Sequence, residues 1–485
     1  MRDAPIVETD QGRVVGASAA PECWAYLGIP YAAPPVGPGR WRPPAPAAAW
    51  TGIRDATAFG PDPIQPPGLR RSRAPAMDED CLYLNVWTPK ERRTGGWPVL
   101  VWSCGGAFTF GSGAFAEEDP ARLAARGAVV VSFNVRLGVF GFLAHPALSA
   151  EAAHGTSGNY GLMDQGAAFG WVRRNVAGFG GDPDRITFFG ESAGATMGAL
   201  LLASPQVARP YERAILMSPG SFSALLPREE AERHGAGLGA TAAEIRAIPA
   251  EALAERARGL APVSPSLWLA RPLRPIADGW FLPAGTRFAA GRFAAVPAII
   301  GTNEDEGHFF GPRMAIRTVA EYEAFVAAIF GRNAGAALAC YPVANDAEVP
   351  AMFAALYGDR GFTYPVDALA RAFAAEAPVF RYVYAYRHGR SDRPPTHSEQ
   401  TGVLLDTLPH ERPEDATMAD LMARYWLAFA AGGDPNAPGL PYWPRYATGA
   451  EDHLRLDAPP SRGSAWRAEA VRFIATHATD QGGEA

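Results

Sequence analysis

Short apolar runs recur along the chain, separated by stretches whose apolar residues follow a helical spacing. The runs are rich in β-branched and aromatic residues, which predicts strands at Val99–Trp102, Ala128–Phe133, Arg185–Gly190, Ala214–Ser218, Val296–Gly301 and Phe380–Tyr386. Helical spacing is clearest in Leu162–Val176 and Met418–Ala430. Strands that alternate with helices predict an α/β fold with a mostly parallel sheet covered by helices on both faces. In such sheets, chemistry gathers at the carboxyl ends of the strands.

Length alone would suggest two or three domains, because the chain has 485 residues and 48% of them are hydrophobic. Proline and glycine are densest between Gly28 and Gly68, yet no stretch is long and polar enough to be a linker, and the sequence has no internal repeat. We therefore expect one large domain over residues 1–485 with long surface excursions.

Charge and hydropathy argue against several kinds of partner. The 44 lysines and arginines and the 50 aspartates and glutamates give a net charge of −6 that is spread along the chain, so nothing suggests nucleic-acid binding. The most apolar run, Gly127–His145, contains Asn134 and Arg136, each of which a bilayer would penalise by about 3 kcal/mol. We interpret the run as buried sheet and expect no membrane span. The N-terminal residues lack the apolar core of a signal peptide, which predicts a cytoplasmic protein.

Four cysteines lie far apart, with no CxxC pair and no histidine at a zinc-ligand spacing; they are Cys23, Cys81, Cys104 and Cys340. This spacing predicts free thiols and no metal site.

The segment FFGESAGA (188–195) holds a serine between two close glycines where a predicted strand meets a small, apolar, helix-like segment. A GxSxG bend of this kind holds its serine in a strained backbone at the top of a sheet, with Oγ exposed. Ser192 is therefore a candidate nucleophile. The alternative is a turn whose small residues serve only close packing.

A nucleophilic serine needs a base, a residue that orients the base, and an oxyanion hole. The predicted strand at 97–103 runs straight into Gly105, Gly106 and Ala107, whose N–H groups could approach a substrate oxygen closely; an ordinary glycine-rich turn is the alternative. In hydrolases with this bend the acid and then the histidine follow the serine. Placement after predicted strands leaves three candidates for each role: Glu304, Asp305 or Glu306 as the acid, and His388, His397 or His410 as the base.

Longer motifs extend this pattern across most of the chain. They are GIPYAAPPVG (28–37), EDCLYLNVWTP (79–89), NVRLGVFGFL (134–143), GNYGLMDQGAAFGWVRRNVAGFGGDPDRITFFGESAGA (158–195), GTNEDEG (301–307) and YWLAFAAGGDPN (425–436). With them the chain resembles the type-B carboxylesterases, the α/β-hydrolase family that includes bacterial p-nitrobenzyl esterases, fungal lipases and cholinesterases. The resemblance runs from near residue 8 to beyond Tyr446 and implies a single α/β-hydrolase domain.

Carried over by position, the resemblance implies Ser192 as nucleophile, Glu306 as triad acid and His397 as base. It also implies an oxyanion hole made by the N–H groups of Gly106, Ala107 and Ala193, and it implies no metal or cofactor. Ser218 lies where some relatives have a second serine behind the triad, although core packing would also explain it. Together with Glu191, it is a candidate supporting residue.

The sequence departs from the family in the oxyanion loop. The usual HGGG appears as Cys104, Gly105, Gly106 and Ala107. Alanine keeps the backbone donor, but a left-handed backbone at that position would cost about 1–2 kcal/mol because of the Cβ. Cys104 cannot copy the hydrogen bonds of a histidine, and it has no evident base that would make it an alternative nucleophile.

A second departure follows His397. The residues there are Ser398, Glu399 and Gln400 in place of the family's usual pattern, so His410 remains the alternative base.

Two further departures concern the cysteines and the substrate. Secreted relatives pair the cysteine at position 81 with one upstream, but this chain has none near Phe59–Asp62, so we expect Cys81 to be unpaired in a reducing compartment. Where cholinesterases carry a tryptophan for quaternary ammonium, this chain has three arginines at 70, 71 and 73. A choline ester is therefore not expected. The arginines form either a solvated loop or a charge that repels cations.

The expected function is hydrolysis of small to medium carboxylic esters by a serine esterase, with a small-molecule ester as the partner. An interfacial lipase is the alternative, although the loop at 61–80 has few large apolar residues for a lid. A non-catalytic binding member of the fold is a further alternative, but such relatives lack the serine.

Overall fold

The main sheet has eleven strands in the part of the chain that the computed structural model describes, namely residues 4–220, 225–260, 273–286, 294–311, 314, 316–389 and 391–477. The first three and last eight residues of the expected domain lie outside these ranges. The strands are β1 (Ile6–Thr9), β2 (Gly12–Val15), β3 (Ala17–Ala20), β4 (Cys23–Pro30), β5 (Ile53–Asp55), β6 (Tyr83–Pro89), β7 (Trp97–Ser103), β8 (Val129–Phe133), β9 (Gly181–Glu191), β10 (Arg213–Met217), β11 (Leu226–Pro227), β12 (Ile276–Ala277), β13 (Ala298–Asn303), β14 (Val379–Tyr384), β15 (Asp452–Leu456) and β16 (Ser461–Ser464).

The strand order of this sheet is β16-β15-β14-β13-β10-β9-β7-β8-β6-β4-β3. Every pair from β15 to β8 is parallel, and the pairs at both ends are antiparallel. The predicted mostly parallel sheet is therefore confirmed. A three-stranded sheet (β1, β2 and β5) and the short β11–β12 pair complete the β structure of the described residues.

The α-helices are α1 (Ala121–Ala125), α2 (Gly138–Phe142), α3 (Pro146–Glu151), α4 (Tyr160–Asn175), α5 (Ala193–Leu201), α6 (Arg228–Gly235), α7 (Ala242–Arg246), α8 (Ala250–Arg258), α9 (Val319–Phe330), α10 (Ala334–Cys340), α11 (Val349–Gly358), α12 (Tyr364–Ala374), α13 (Glu399–Leu404), α14 (Pro413–Gly432) and α15 (Ala468–His477). A π-helix at Asp359–Thr363 joins α11 to α12. Within the described residues, no helix has the length and apolar character needed to cross a membrane.

Strand β7 shows why the sheet is covered on both faces. Successive side chains of a strand point to opposite faces. Val99 and Val101 accordingly belong to the core that includes Trp171 of α4, whereas Leu100 and Trp102 belong to the core that includes Trp426 of α14. A strand that is buried on both faces has an unbroken run of apolar residues, so the sequence pattern predicted β7.

The sequence pattern was less informative outside the inner parallel strands β7, β8, β9, β10, β13 and β14. The antiparallel strands β3, β4 and β6 were not predicted, and β4 is interrupted by Gly28 and ends at Pro30. The interpretation of Gly127–His145 as sheet was wrong for its second half, which forms α2 after β8 ends. Arg136 in this run is buried because it forms an ion pair with Asp164 on α4 at 2.7 Å.

The register of the parallel strands brings the ends of β9, β10, β13 and β14 to one edge. Met217 lies opposite both Glu191 and Gly301, and Asn303 lies opposite Tyr384. The loops that leave these strands carry the candidate residues, so the sheet directs them to a common place.

Candidate active site

Ser192 occupies the bend between β9 and α5. Its backbone has φ 52° and ψ −124°, a conformation that is costly for a side-chain-bearing residue. The flanking glycines allow the bend because it passes very close to the end of β7: a Cβ at Gly194 would lie 2.2 Å from the Ser103 carbonyl oxygen, and one at Gly190 would lie 3.0 Å from it. The GxSxG spacing therefore reflects close backbone approach around a partly exposed serine.

His397 bridges Ser192 and Glu306. Its Nε2 lies 2.9 Å from Ser192 Oγ, and its Nδ1 lies 2.5 Å from Glu306 Oε2. With the proton on Nδ1, the imidazole donates to Glu306 and can accept the serine proton at Nε2. His397 and Glu306 are 4% and 3% exposed, so water screens this chain of hydrogen bonds poorly.

The other candidate acids and bases lie in different surroundings. Glu304 is paired with Arg455 at 3.0 Å, and Asp305 with His308 at 2.5 Å. His410 is paired with Asp406 at 2.7 Å, and His388 lies 4.0 Å from Asp415. Of the alternatives left open by the strand pattern, Glu306 and His397 are the two whose contacts connect to Ser192.

Ser218 and the backbone of β13 hold the Glu306 carboxylate. Ser218 Oγ donates to Glu306 Oε1 at 2.6 Å, and the Asn303 N–H donates to the same oxygen at 2.7 Å. The Gln400 amide in turn donates to Ser218 Oγ at 3.3 Å. Ser218 is fully buried. It therefore both supports Glu306 and packs in the core, so the two explanations offered for it do not exclude each other.

Glu191 places a second carboxylate beside the histidine. Its Oε1 lies 3.2 Å from His397 Nε2 and accepts a hydrogen bond from Ser398 Oγ at 2.7 Å. Burial raises the pKa of Glu191 to about 7, and the nearby carboxylates of Glu306 and Glu118 add to the rise, whereas His397 and Ser398 oppose it. A carboxylate in this position can stabilise a positively charged imidazole.

The oxyanion loop follows β7 and lies against both Ser192 and Glu191. A Cβ at Gly105 would lie 2.2 Å from Glu191 Oε2 and 3.0 Å from the Ser192 Cβ. Gly106 has φ 130°, and a Cβ there would overlap the Phe110 carbonyl oxygen at 1.8 Å. Ala107 has φ 53°, so the left-handed backbone at which its Cβ costs about 1–2 kcal/mol is present.

Gln65 supports this loop from outside. Its side-chain amide pairs with the backbone of Gly111 in both directions, accepting at 2.9 Å and donating at 3.0 Å. Gln65 therefore holds the far end of this loop from a segment outside it. Burial raises the pKa of the Cys104 thiol well above its usual value, which keeps it in the unreactive thiol form. All four cysteines are unpaired.

Sequence reasoning missed the contacts that surround His397. The rings of Phe309, Phe310 and Phe362 lie 5.6, 5.1 and 4.5 Å from the imidazole, measured between ring centroids. Ser398 adopts φ 73°, a conformation in which glycine would be the usual residue. The departure from the family pattern after His397 could have indicated some of these contacts. Ser398 contacts Glu191, and Gln400 contacts Ser218.

The three arginines before Cys81 match neither expectation fully. Arg70 forms an ion pair with Glu118, and Arg73 pairs with Asp119 at 2.5 Å, so these two charges are compensated by carboxylates. Arg71 is 79% exposed. Arg71 also lies 3.9 Å from Glu117, but its exposed side chain fits the solvated-loop interpretation best, and the three ion pairs weaken a cation-repelling field.

No group of three or more histidine, cysteine, aspartate or glutamate side chains could hold a metal ion in the described part of the chain. The chemistry available at the site is that of a hydroxyl, an imidazole and two carboxylates.

Comparison with known proteins agrees with this chemistry. A sequence model described as "Carboxylesterase family" matches residues 3–474. Fumonisin B1 esterase from Sphingopyxis macrogoltabida is 43% identical over 457 residues, which cover 91% of this chain and 84% of that protein. Para-nitrobenzyl esterase from Bacillus subtilis (strain 168) is 34% identical over 480 residues, which cover 93% and 95%.

Solved structures show the same likeness. A thermophilic PNB esterase superposes with a TM-score of 0.86 at 30% identity and covers 97% of this chain and 99% of its own. Another PNB esterase structure gives 0.85 at 31% identity, with 96% and 98% covered. The expected α/β-hydrolase fold is confirmed.

Proposed function

Because the chain belongs to the carboxylesterase family and is a carboxylic ester hydrolase, we propose that it is a serine esterase. In this proposal, the ester's acyl group is transferred to Ser192 to form an acyl-enzyme. The observation that carries the proposal is the hydrogen-bonded chain Ser192–His397–Glu306, with contacts of 2.9 and 2.5 Å. We propose small to medium esters as substrates. The names of the relatives refer to chemically different esters, so the family alone does not select one.

In the proposed first step, His397 Nε2 takes the proton of Ser192 while Oγ attacks the ester carbonyl carbon. Glu306 holds the Nδ1 proton and stabilises the imidazolium. The negative oxygen that develops is stabilised by the N–H groups of Gly106, Ala107 and Ala193. His397 then gives its proton to the departing alcohol, which leaves the acyl group on Ser192.

The second step repeats the first with water in place of the serine. His397 takes a proton from water, and the hydroxide attacks the acyl carbon. The tetrahedral intermediate collapses, His397 returns the proton to Ser192 Oγ, and the carboxylic acid leaves. This account needs no cofactor. Glu191 is proposed to stabilise the imidazolium in both steps, because its carboxylate lies 3.2 Å from Nε2.

The alternative of an interfacial lipase gains no support from the loop at 61–80. Its backbone is tied to the segment before α1, because the Arg73 N–H donates to the Ala114 carbonyl oxygen and the Ala116 N–H donates to the Arg71 carbonyl oxygen, both at 3.0 Å. A lid that opens at a lipid surface would have to break these bonds.

The test is steady-state hydrolysis of p-nitrophenyl esters from acetate to decanoate by wild type, Ser192→Ala and His397→Ala. We expect both variants to lose about 10⁴–10⁶ in kcat. His410→Ala is the matched control, because His410 also contacts a carboxylate, that of Asp406 at 2.7 Å, whereas His397 is the histidine that contacts Ser192. Circular dichroism establishes that each variant is folded. Substantial activity in Ser192→Ala, or equal losses in His397→Ala and His410→Ala, would overturn the proposed mechanism.

A further inference from the structure

Ser398 departs from two local preferences at the start of α13. Its backbone is left-handed, with φ 73° and ψ −6°, a conformation that is costly for a residue with a Cβ. Ser398 is also the N-cap of α13, where a serine hydroxyl usually accepts a hydrogen bond from the first turn of the helix, but its side chain makes no such bond. A residue that is locally unfavourable on both counts is expected to serve a contact elsewhere in the fold.

That contact is with Glu191, which lies 207 positions away along the chain. The Ser398 hydroxyl donates to Glu191 Oε1 at 2.7 Å. The same oxygen lies 3.2 Å from His397 Nε2, the atom that also lies 2.9 Å from Ser192 Oγ. Ser398 therefore contacts the oxygen of Glu191 that faces the proposed base.

The charge of Glu191 decides what this oxygen does to the base. An ionised carboxylate only accepts hydrogen bonds, so His397 Nε2 keeps its lone pair for the Ser192 proton. A protonated carboxyl group could donate its own O–H to Nε2 and would then compete with Ser192 for that lone pair. It would also supply no negative charge to the imidazolium that forms next. Both steps at the imidazole are therefore favoured by an ionised Glu191.

The surroundings of Glu191 are unfavourable to this ionised form. Burial raises its pKa, and the carboxylates of Glu306 and Glu118 add to the rise. His397 and the hydrogen bond from Ser398 lower it. A hydroxyl donates more strongly to a carboxylate than to a neutral carboxyl group, so the Ser398 contact favours ionisation.

Two further groups near Glu191 are paired or neutral. Arg70 forms an ion pair with Glu118, which also accepts a hydrogen bond from Trp102 Nε1 at 2.8 Å. The phenol of Tyr382 on β14 is fully buried, and burial raises its pKa well above its usual value, so it stays neutral. Neither group supplies Glu191 with an uncompensated positive charge.

From these observations we propose that Ser398 is a positioning residue, which keeps the Glu191 carboxylate ionised and aligned beside His397 Nε2. The inference rests on the proposed esterase mechanism and adds a residue to it. Ser398 acts through Glu191, and the cost of its backbone conformation is offset by this contact.

The first test is the pH dependence of kcat/KM for p-nitrophenyl acetate in wild type, Ser398→Ala and Ser398→Gly. Both variants lack the hydroxyl, so Glu191 should take up its proton at a higher pH. We expect the acid limb of the profile to move up by about one pH unit, as for the loss of one hydrogen bond to a charged group. Below the limb, kcat/KM should then be about tenfold lower than in wild type.

Ala465→Gly is the matched control for the backbone. Ala465 is exposed and has φ 51°, so the substitution removes a Cβ from a left-handed backbone outside the site. Its pH profile should match that of wild type. A second control places Ser398→Ala in the Glu191→Gln background. Glutamine does not titrate, so Ser398→Ala should not move the acid limb of that variant.

The thermal stability of Ser398→Ala gives a readout that does not require turnover. A further rise in the pKa of Glu191 destabilises the folded protein where the wild-type group is ionised, above about pH 7, and has no added effect where the group is protonated in both proteins. Ser398→Ala should therefore have a lower Tm than wild type at pH 8, and this deficit should shrink by pH 5. Ser398→Gly should have a higher Tm than Ser398→Ala, because glycine adopts a positive φ without the cost of a Cβ.

The outcomes separate the two proposals. The inference is overturned if the acid limb of active, folded Ser398→Ala and Ser398→Gly stays at its wild-type position, or if it moves equally in the Glu191→Gln background. A Tm deficit of the same size at pH 8 and pH 5 also overturns it, because it shows a role that is independent of the charge. If wild type hydrolyses no p-nitrophenyl ester at any pH, the proposed function itself fails, and the two Tm values still decide whether Ser398 favours the ionised Glu191.

Discussion

Among single residues, Glu191 combines burial with a charge. It is 4% exposed and lies beside His397, Glu306 and Glu118, of which two are carboxylates. Its pKa of about 7 means that it gains a proton as the pH falls through neutrality. Its support for a positively charged His397 is therefore present at alkaline pH and lost at acidic pH.

Replacement of Glu191 by glutamine tests this support through the pH dependence of activity. We expect Glu191→Gln to lower kcat/KM about tenfold at pH 8, because one contact between charged groups is lost. The difference from wild type should narrow toward pH 6, where Glu191 is already protonated in wild type. A constant ratio across this range would show that Glu191 does not act through its charge.

We also expect Glu191→Gln to change stability, and here the variant gains where its activity falls. A carboxyl group whose pKa is higher in the folded than in the unfolded protein destabilises the fold once it ionises in both states, here above about pH 7. Thermal unfolding of Glu191→Gln should therefore give a higher Tm than wild type at pH 8, and this advantage should shrink by pH 5. Such a variant would be more stable and less active.

At the scale of elements, the turn from β9 into α5 depends on its contact with the end of β7. A Cβ at Gly194 would lie 2.2 Å from the Ser103 carbonyl oxygen and 2.5 Å from that of Cys104. Both neighbours are backbone atoms, so no side chain can rotate away to make room. The strand end, the oxyanion loop and the first turn of α5 would have to separate.

We therefore expect Gly194→Ala to lower the free energy of unfolding by about 1–3 kcal/mol, as overpacking does, and to lower kcat by at least about 10² because the oxyanion donors move. Gly335→Ala is the matched control. It lies in α10 with nothing within 4 Å of the added Cβ, so it should stabilise slightly, by less than about 1 kcal/mol. Urea unfolding and p-nitrophenyl acetate hydrolysis measure the two effects. Equal stability of both variants would contradict the close-approach argument.

At the scale of the whole molecule, residues distant in the chain hold the π-helix that carries Phe362. Asp359 in this helix is buried, is paired with Arg467 and accepts a hydrogen bond from Tyr341 at 2.9 Å. Arg467 directly precedes α15, so the C-terminal helix and the aromatic wall around His397 are connected through one carboxylate.

Removal of the arginine leaves a buried carboxylate without its charge partner. We expect Arg467→Met to cost about 2 kcal/mol of stability, less than for a fully buried pair because Arg467 is partly exposed. The double variant Asp359→Asn with Arg467→Met should regain part of the loss. Urea unfolding of the single and double variants measures the loss of stability and its partial recovery. If the double variant is less stable than Arg467→Met, an uncompensated buried charge is not the cause of the loss.

The sequence predicted the local features of this protein and the family. Apolar runs located the inner strands because strands buried on both faces are apolar throughout, whereas the antiparallel strands near the N-terminus were missed because Gly28 and Pro30 interrupt the pattern of one of them. The GxSxG bend indicated Ser192, and the resemblance carried by the longer motifs implied Glu306 and His397. Strand pattern alone left three acids and three histidines open.

The sequence by itself thus determined the inner parallel strands, the serine bend and the family. The tertiary structure decided which side chains meet: His397 contacts residues 91 and 205 positions away, and these contacts depend on the register of β9, β13 and β14. The contact of Ser398 with Glu191 and the support of the oxyanion loop by Gln65 are long-range features of the same kind. Local patterns report the conformation and burial of a segment, but a distance between side chains far apart in the chain is set only when the elements between them pack.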